Sequence, residues 1–212
     1  MIDRSKDLKI ISQRAHEYFA NKHSAREKAL QLSRGTIQLA SKSIRSSHRN
    51  EFHEARALLD EAKELVSEMI DIRLTHPDIY YTGFVQDAQK EYVEALLTFS
   101  LIADEYFPMP DDIGIAFSAY LNGLGETIGE MRRYLLDSIR SGETGRCESI
   151  LDVMDQIHTE LFTMDFPEAI TGGLRRTTDA MRGILERTRG DLTNALRQQK
   201  LEEQINRFIE GA

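Results

Sequence analysis

Cysteine is nearly missing from this sequence. Cys147 stands alone, which excludes an internal disulfide framework and any CxxC-type zinc or redox site. Prolines number four and glycines thirteen in 212 residues, and no Pro/Gly/Ser-rich linker divides the chain, so one domain over 1–212 is expected. No apolar run reaches bilayer-spanning length, and the opening "MIDRSKDLKI" has no signal-peptide core. A cytoplasmic protein with no membrane partner is therefore expected. Nothing alternates like a strand, no solenoid-length repeat recurs, and the six histidines fall without ligand spacing.

What remains is helix. Residues 3–48 keep a 3.6-residue period, as one long helix or two nearly continuous ones, with Leu32, Ile37, Leu39, Ala40 and Ile44 on one side. Further helices are expected over 51–73, ending near Pro77, and over 82–104. Others follow over 111–141 after the connector "FPMPDD", then 145–163 after "RSGETG", and 168–208 after "MDFP". The expected fold class is all-α, a bundle of six or seven helices.

Charge is unevenly spread along that bundle. The net charge is −8, yet residues 1–50 hold eleven Lys/Arg against four Asp/Glu, leaving sixteen against thirty-one for residues 51–212. A basic surface on one segment is therefore compatible with an acidic total.

Two apolar stretches carry acids that look misplaced. In "QKEYVEALLTFSLIAD" the only charge between Glu91 and Asp104 is Glu94, and one helical turn sets it beside Glu91. In "IGIAFSAYLNGLGETIGEM", residues 113–131, the only charges are Glu126 and Glu130, again one turn apart. Lys90 precedes Glu94 by four and Arg133 follows Glu130 by three, but no cation lies within one turn of Glu126. Carboxylates in apolar surroundings must be solvated, protonated or bound to a cation. Four converging oxygens suit Mg²⁺ or Mn²⁺, hard ions that take carboxylates and water. Gly123, Gly125 and Gly129 suggest a close approach to that helix. The missing Glu-x-x-His disfavours a ferritin-like iron site. The helical Mg²⁺-dependent nucleoside triphosphate pyrophosphatases use similar acid spacing, and the same spacings also occur on solvated helix faces, so spacing alone leaves these readings open.

Four segments together resemble the translin family, specifically its translin-associated factor X (Trax) branch: "QKEYVEAL" at 89–96, "YLNGLGETIGEMRRYLLDSI" at 120–139, "EKALQLSRGTIQLASKSIRSSHR" at 27–49 and "GLRRTTDAMRGILERTRGDL" at 173–192. The resemblance implies a translin-like fold and a Mg²⁺-dependent endoribonuclease. Its catalytic and metal-holding acids fall on Glu91, Glu94, Glu126 and Glu130. Glu126 departs from the aspartate usual there. The resemblance also implies RNA, single-stranded or duplex, as substrate. It implies assembly as a homo-oligomer, such as the family's hollow octamers, or with a translin-like subunit. A non-catalytic RNA-binding scaffold of the translin type is the alternative within the family.

For RNA contact the first helix offers the surface. At about 100° per residue, Arg34, Gln38, Ser41, Lys42, Arg45, His48 and Arg49 share a sector opposite Leu32 and Ile44. Arg34, Lys42, Arg45, His48 and Arg49 are the expected RNA-binding residues. A solvated helix face is the plain alternative. Tyr80, Tyr81, Tyr92, Phe99, Tyr106 and Phe107 are expected in the core or at an interface, and His16, His23, His53, His76 and His158 have no assigned role.

Overall fold

The computed structural model describes residues 3–210. Six long helices build the bundle: α1 (Ser5–His48), α2 (Phe52–Thr75), α4 (Gly83–Ala103), α6 (Phe117–Ser141), α7 (Cys147–Phe162) and α9 (Leu174–Glu210). Three one-turn helices, α3 (Pro77–Tyr80), α5 (Pro110–Ile113) and α8 (Glu168–Thr171), stand in the connections, with a 3₁₀ turn over Thr144–Arg146. Among the described residues there is no strand.

The helix breaks follow from local chemistry. Asn50 and Asp104 take left-handed backbone after α1 and α4, and Gly142 does so after α6. Pro77, Pro110 and Pro167 open or precede the short helices. Two expected helices start later than their sequence pattern suggests. Gly114 (φ 68°) ends α5 after one turn, so α6 begins at Phe117. Gly172 (φ 64°) and Gly173 (φ 89°) likewise separate α8 from α9.

α1 is a single helix of 44 residues whose C-terminal half packs on α2 and α4. The core-facing stripe differs from the sequence expectation in one place. Thr36 is fully buried while Ile37 is 37% exposed. The buried side of α1 is lined largely by small residues, including Ala29, Ser33, Thr36, Ala40 and Ser43, which lets its neighbours approach closely. Ser43 Oγ donates to the Ala55 carbonyl of α2 at 3.0 Å. Tyr80, Tyr92 and Phe99 are core residues, whereas Tyr81 and Tyr106 are exposed.

Two buried apolar clusters form the interior. One joins α1, α2 and α4 to the start of α6, the other joins the end of α4 to α6, α7 and α9. Phe107, Leu121 and Leu124 pack against both. The pair α4 and α6 is therefore the shared wall of both clusters. Beyond it, the first turns of α1 and the last turns of α9 leave large apolar side chains in solvent, among them Ile11, Phe19, Leu201 and Phe208.

The crossing of α4 and α6 is close because of a glycine. A Cβ on Gly123 would lie 2.7 Å from the Lys90 carbonyl oxygen and 2.8 Å from Val93 Cβ. At Gly129, by contrast, a Cβ would meet nothing within 4 Å. Gly123→Ala should thus force the helices apart and destabilise the fold by about 1–3 kcal/mol. Gly129→Ala should stabilise it by about 0.5–1 kcal/mol through lower chain entropy. Thermal melts of the two variants beside wild type check both signs.

Candidate metal and nucleic-acid site

The α4–α6 crossing brings the misplaced acids together. Glu91 and Glu94 project from α4, Glu126 from α6, and one carboxylate oxygen of each lies within 4.8 Å of the others. Three like charges that close cannot all ionise cheaply. Glu94 is pushed up to about 8, by burial first and then by the charges of Glu91, Glu126 and Glu130. Burial and Glu126 raise Glu91 as well.

The fourth acid is held differently. Glu130 Oε2 lies 2.6 Å from His48 Nε2, and Arg133 approaches the same oxygen at 3.6 Å. The bond from His48 holds the Glu130 carboxyl below its ordinary value. It therefore sits ionised at the edge of the cluster, close enough to help raise Glu94.

His48 corrects one sequence expectation. Its side chain is only 4% exposed and turns inward to Glu130, while its Nδ1 is buried without a partner. Near its end α1 packs on α4, and His48, in the basic sector, reaches across to Glu130 of α6 instead of solvent. Arg34, Lys42, Arg45 and Arg49 stay exposed, on the same helix, as does the polar pair Gln38 and Ser41.

A second correction concerns Glu126. Its cation comes from the neighbouring helix: Lys90 Nζ donates to Glu126 Oε1 at 2.8 Å. Burial pulls Lys90 down, but the bond to Glu126 and the nearby charges of Glu126, Asp87 and Glu91 leave it above its usual value. The sequence shows Lys90 only as a possible partner of Glu94, four residues on, because the α4–α6 contact is not local.

The glycines divide in their roles. Gly123 admits α4, and Gly125 admits α9, where a Cβ would lie 2.4 Å from Thr177 Cγ2. Both answer to helix packing. Only Gly129 leaves open space beside α6.

Glu94 and Glu126 open into a cleft of about 650 Å³ between α4, α6 and the start of α9. Its other walls include Asp87, Asn122, Gly172, Gly173, Arg176 and Thr177. Asn122 organises that wall. Its Nδ2 donates to the carbonyls of Ser118 and Thr171, both at 2.8 Å, and its Oδ1 accepts from Thr177 Oγ1 at 2.7 Å. Sequence reading passed over Asn122, Arg176 and Thr177. The one available signal was that Asn122 precedes Glu126 by four and so shares its helical face. With oxygen donors converging and imidazole absent from the inner three, the arrangement suits a hard divalent cation.

An α-helical bundle with a carboxylate cluster at the crossing of two central helices is thus the class that fold and site define. No family model matches the sequence. An uncharacterized protein of Methanocaldococcus jannaschii is 31% identical over 196 residues, covering 92% of this chain and 86% of its own. The structure of AfC3PO in complex with duplex RNA matches at a TM-score of 0.81 and 31% identity, over 88% of this chain and 96% of that one. AfC3PO alone matches equally, at 0.81 and 30% identity over 88% and 97%. Apo-NeC3PO shares the fold at a TM-score of 0.74 and 20% identity, over 92% and 98%. The chain belongs to the translin family and has its Trax-like fold.

The raised Glu94 makes a pH dependence testable. Unfolded, Glu94 ionises near 4.5; folded, near 8. The folded state holds that proton more tightly, so without metal this group lowers stability progressively as pH rises from about 4.5 through about 8. Glu91 acts in the same direction. Melting temperatures in chelator should fall from about pH 6 to about pH 9, and Glu94→Gln should flatten that fall.

Proposed function

We propose that this protein is a metal-dependent endoribonuclease that holds Mg²⁺, or Mn²⁺, on Glu91, Glu94 and Glu126 and cuts RNA in the cleft that Glu94 and Glu126 open into. The observation that carries the reading is the convergence of three carboxylates within 4.8 Å, two of them, Glu94 and Glu126, lining a cleft, with Glu94 pushed up to about 8. Such a cluster stores repulsion that a divalent cation would relieve. The likeness to AfC3PO, solved in complex with duplex RNA, supports RNA as the polymer.

Each residue then has a task. Glu91, Glu94 and Glu126 would hold the ion. When bound, the ion supplies Lewis-acid polarisation of the phosphodiester and acidifies the attacking water. Lys90 balances Glu126 and keeps that carboxylate oriented into the cleft. Glu130, kept ionised by His48 and Arg133, adds a fixed negative charge beside the three. Glu126 at a position where the family usually has aspartate reaches one methylene further, and the tight crossing at Gly123 brings its oxygen into range of Glu91 and Glu94 all the same. The exposed Arg34, Lys42, Arg45 and Arg49 of α1 form the track for the RNA backbone, single-stranded or duplex. The apolar side chains exposed on α1 and α9 favour assembly with further copies, or with a translin-like subunit.

Two variants separate the parts of this reading. Glu94→Gln should abolish cleavage while RNA binding persists. It should be at least as stable as wild type in chelator and should lose most of any Mg²⁺-induced rise in melting temperature. Normal cleavage by that variant would sink the metal-site reading. Reversing the charge at Arg45 and Arg49 should weaken RNA affinity across sequences and flatten its salt dependence, read by titration at several salt concentrations. A panel of labelled single-stranded RNA, duplex RNA and nucleoside triphosphates, with Mg²⁺ or chelator, distinguishes nuclease from scaffold and from pyrophosphatase.

A further inference from the structure

The cleft that holds Glu94 and Glu126 is lined by two cations, Lys90 and Arg176. Lys90 is committed to Glu126 at 2.8 Å. Arg176 is exposed in the first turn of α9, and among the described residues it forms no ion pair. It is therefore the one cation of the cleft with no carboxylate partner. Elsewhere around the centre the positive groups are spent in the same way, His48 and Arg133 both on Glu130.

The place of Arg176 at the cleft is set by packing. α9 approaches α6 closely because Gly125 has no Cβ to collide with Thr177 Cγ2. Thr177, the next residue after Arg176, donates to Asn122 Oδ1 at 2.7 Å, and Asn122 also takes the Thr171 carbonyl on the far side of the Gly172–Gly173 corner. Asn122 is 6% exposed, so this bolt is shielded from water. The backbone that carries Arg176 is consequently held on both sides, and Arg176 lines the cleft with no ion-pair partner among the described residues. An unpaired cation in a cleft that also holds acids favours the entry of a polyanion.

We propose that Arg176 is a phosphate-seating residue. It takes the backbone phosphate that flanks the one brought to the Glu91–Glu94–Glu126 cluster, and so sets the register of the strand against the acids. This rests on the reading of the cleft as an RNA-cutting site. Arg176 belongs to α9 and stands apart from the basic track on α1, so its contact adds a phosphate inside the cleft to those along the outer helix. A guanidinium suits the task because its fork of N–H donors matches phosphate oxygens.

The test uses Arg176→Gln and Arg176→Lys in the full chain. RNA affinity is measured across salt concentrations in the Glu94→Gln background, where cleavage does not intervene. Single-turnover cleavage and cut positions are measured with Glu94 intact. Arg176→Gln should weaken affinity about 10-fold and lower the salt slope by about one. It should slow cleavage at saturating RNA and blur the cut positions, because the strand is no longer seated. Its melting temperature, with and without Mg²⁺, should match wild type, which separates a lost phosphate contact from a damaged metal centre. Arg176→Lys should restore the salt slope. A folded Arg176→Gln protein with wild-type affinity and slope, or failure of Arg176→Lys to restore the slope, overturns the proposal. If wild type cuts no RNA, the nuclease reading falls, but the affinity and salt slope still decide whether Arg176 seats a phosphate.

Discussion

The contact of α4 with α6 at Gly123 governs this molecule. A helix crossing with a side chain in that position would hold the two backbones further apart and carry Glu126 away from Glu91 and Glu94. With glycine there, the Lys90 carbonyl and Val93 sit directly against α6. The acids are consequently forced to within 4.8 Å. Packing of apolar neighbours such as Val93, Leu97, Ile128 and Met131 supplies the free energy that sustains this repulsion, since each is fully buried. The site is strained in the electrostatic sense because the interior around it is tightly packed.

Neutralisation of the acids comes from different directions. Lys90 reaches Glu126 from α4, on the cleft side, while His48 reaches Glu130 from α1, on the side away from it. Three helices are thereby tied to one centre. α1 has a double part in this: Arg45 and Arg49 face solvent while His48, on the same last turns, faces the acids. A shift of α1 under load on its outer face would be felt at Glu130 through a single 2.6 Å bond. One helix thus carries both an exposed basic face and a contact to the acids.

How far the sequence reveals this depends on whether a feature is local. The six long helices and the acid pairs on α4 and α6 are properties of spacing along one helix, and periodicity shows them directly. The start of α6 at Phe117 was hidden because a helical pattern runs across Gly114, whose left-handed backbone interrupts it. Ile37, expected on the core side, is exposed while Thr36 is buried, on a face of α1 where small residues meet α2 and α4. Lys90 with Glu126 and His48 with Glu130 are 36 and 82 residues apart, and no rule of helical spacing reaches that far. Gly123 and Gly125 were legible as signs of a close approach. That what approaches is another helix emerges only from the packing.

The inner three acids and their proton give the centre its character. At neutral pH a group that ionises near 8 is mostly protonated, so in the absence of a cation Glu94 keeps the cluster from carrying its full charge. A proton and a divalent ion would then compete for the same oxygens. Folding does not have to wait for metal, because the proton already relieves the repulsion. A divalent ion bound there would have to release that proton, and its affinity would then rise with pH through the same range. The Glu130 carboxylate stands outside this exchange, since the bond from His48 holds it ionised throughout. One acid that stays charged beside one that yields its proton gives the centre a fixed charge and an adjustable one, and the adjustable one is the residue set deepest among the apolar side chains of α4.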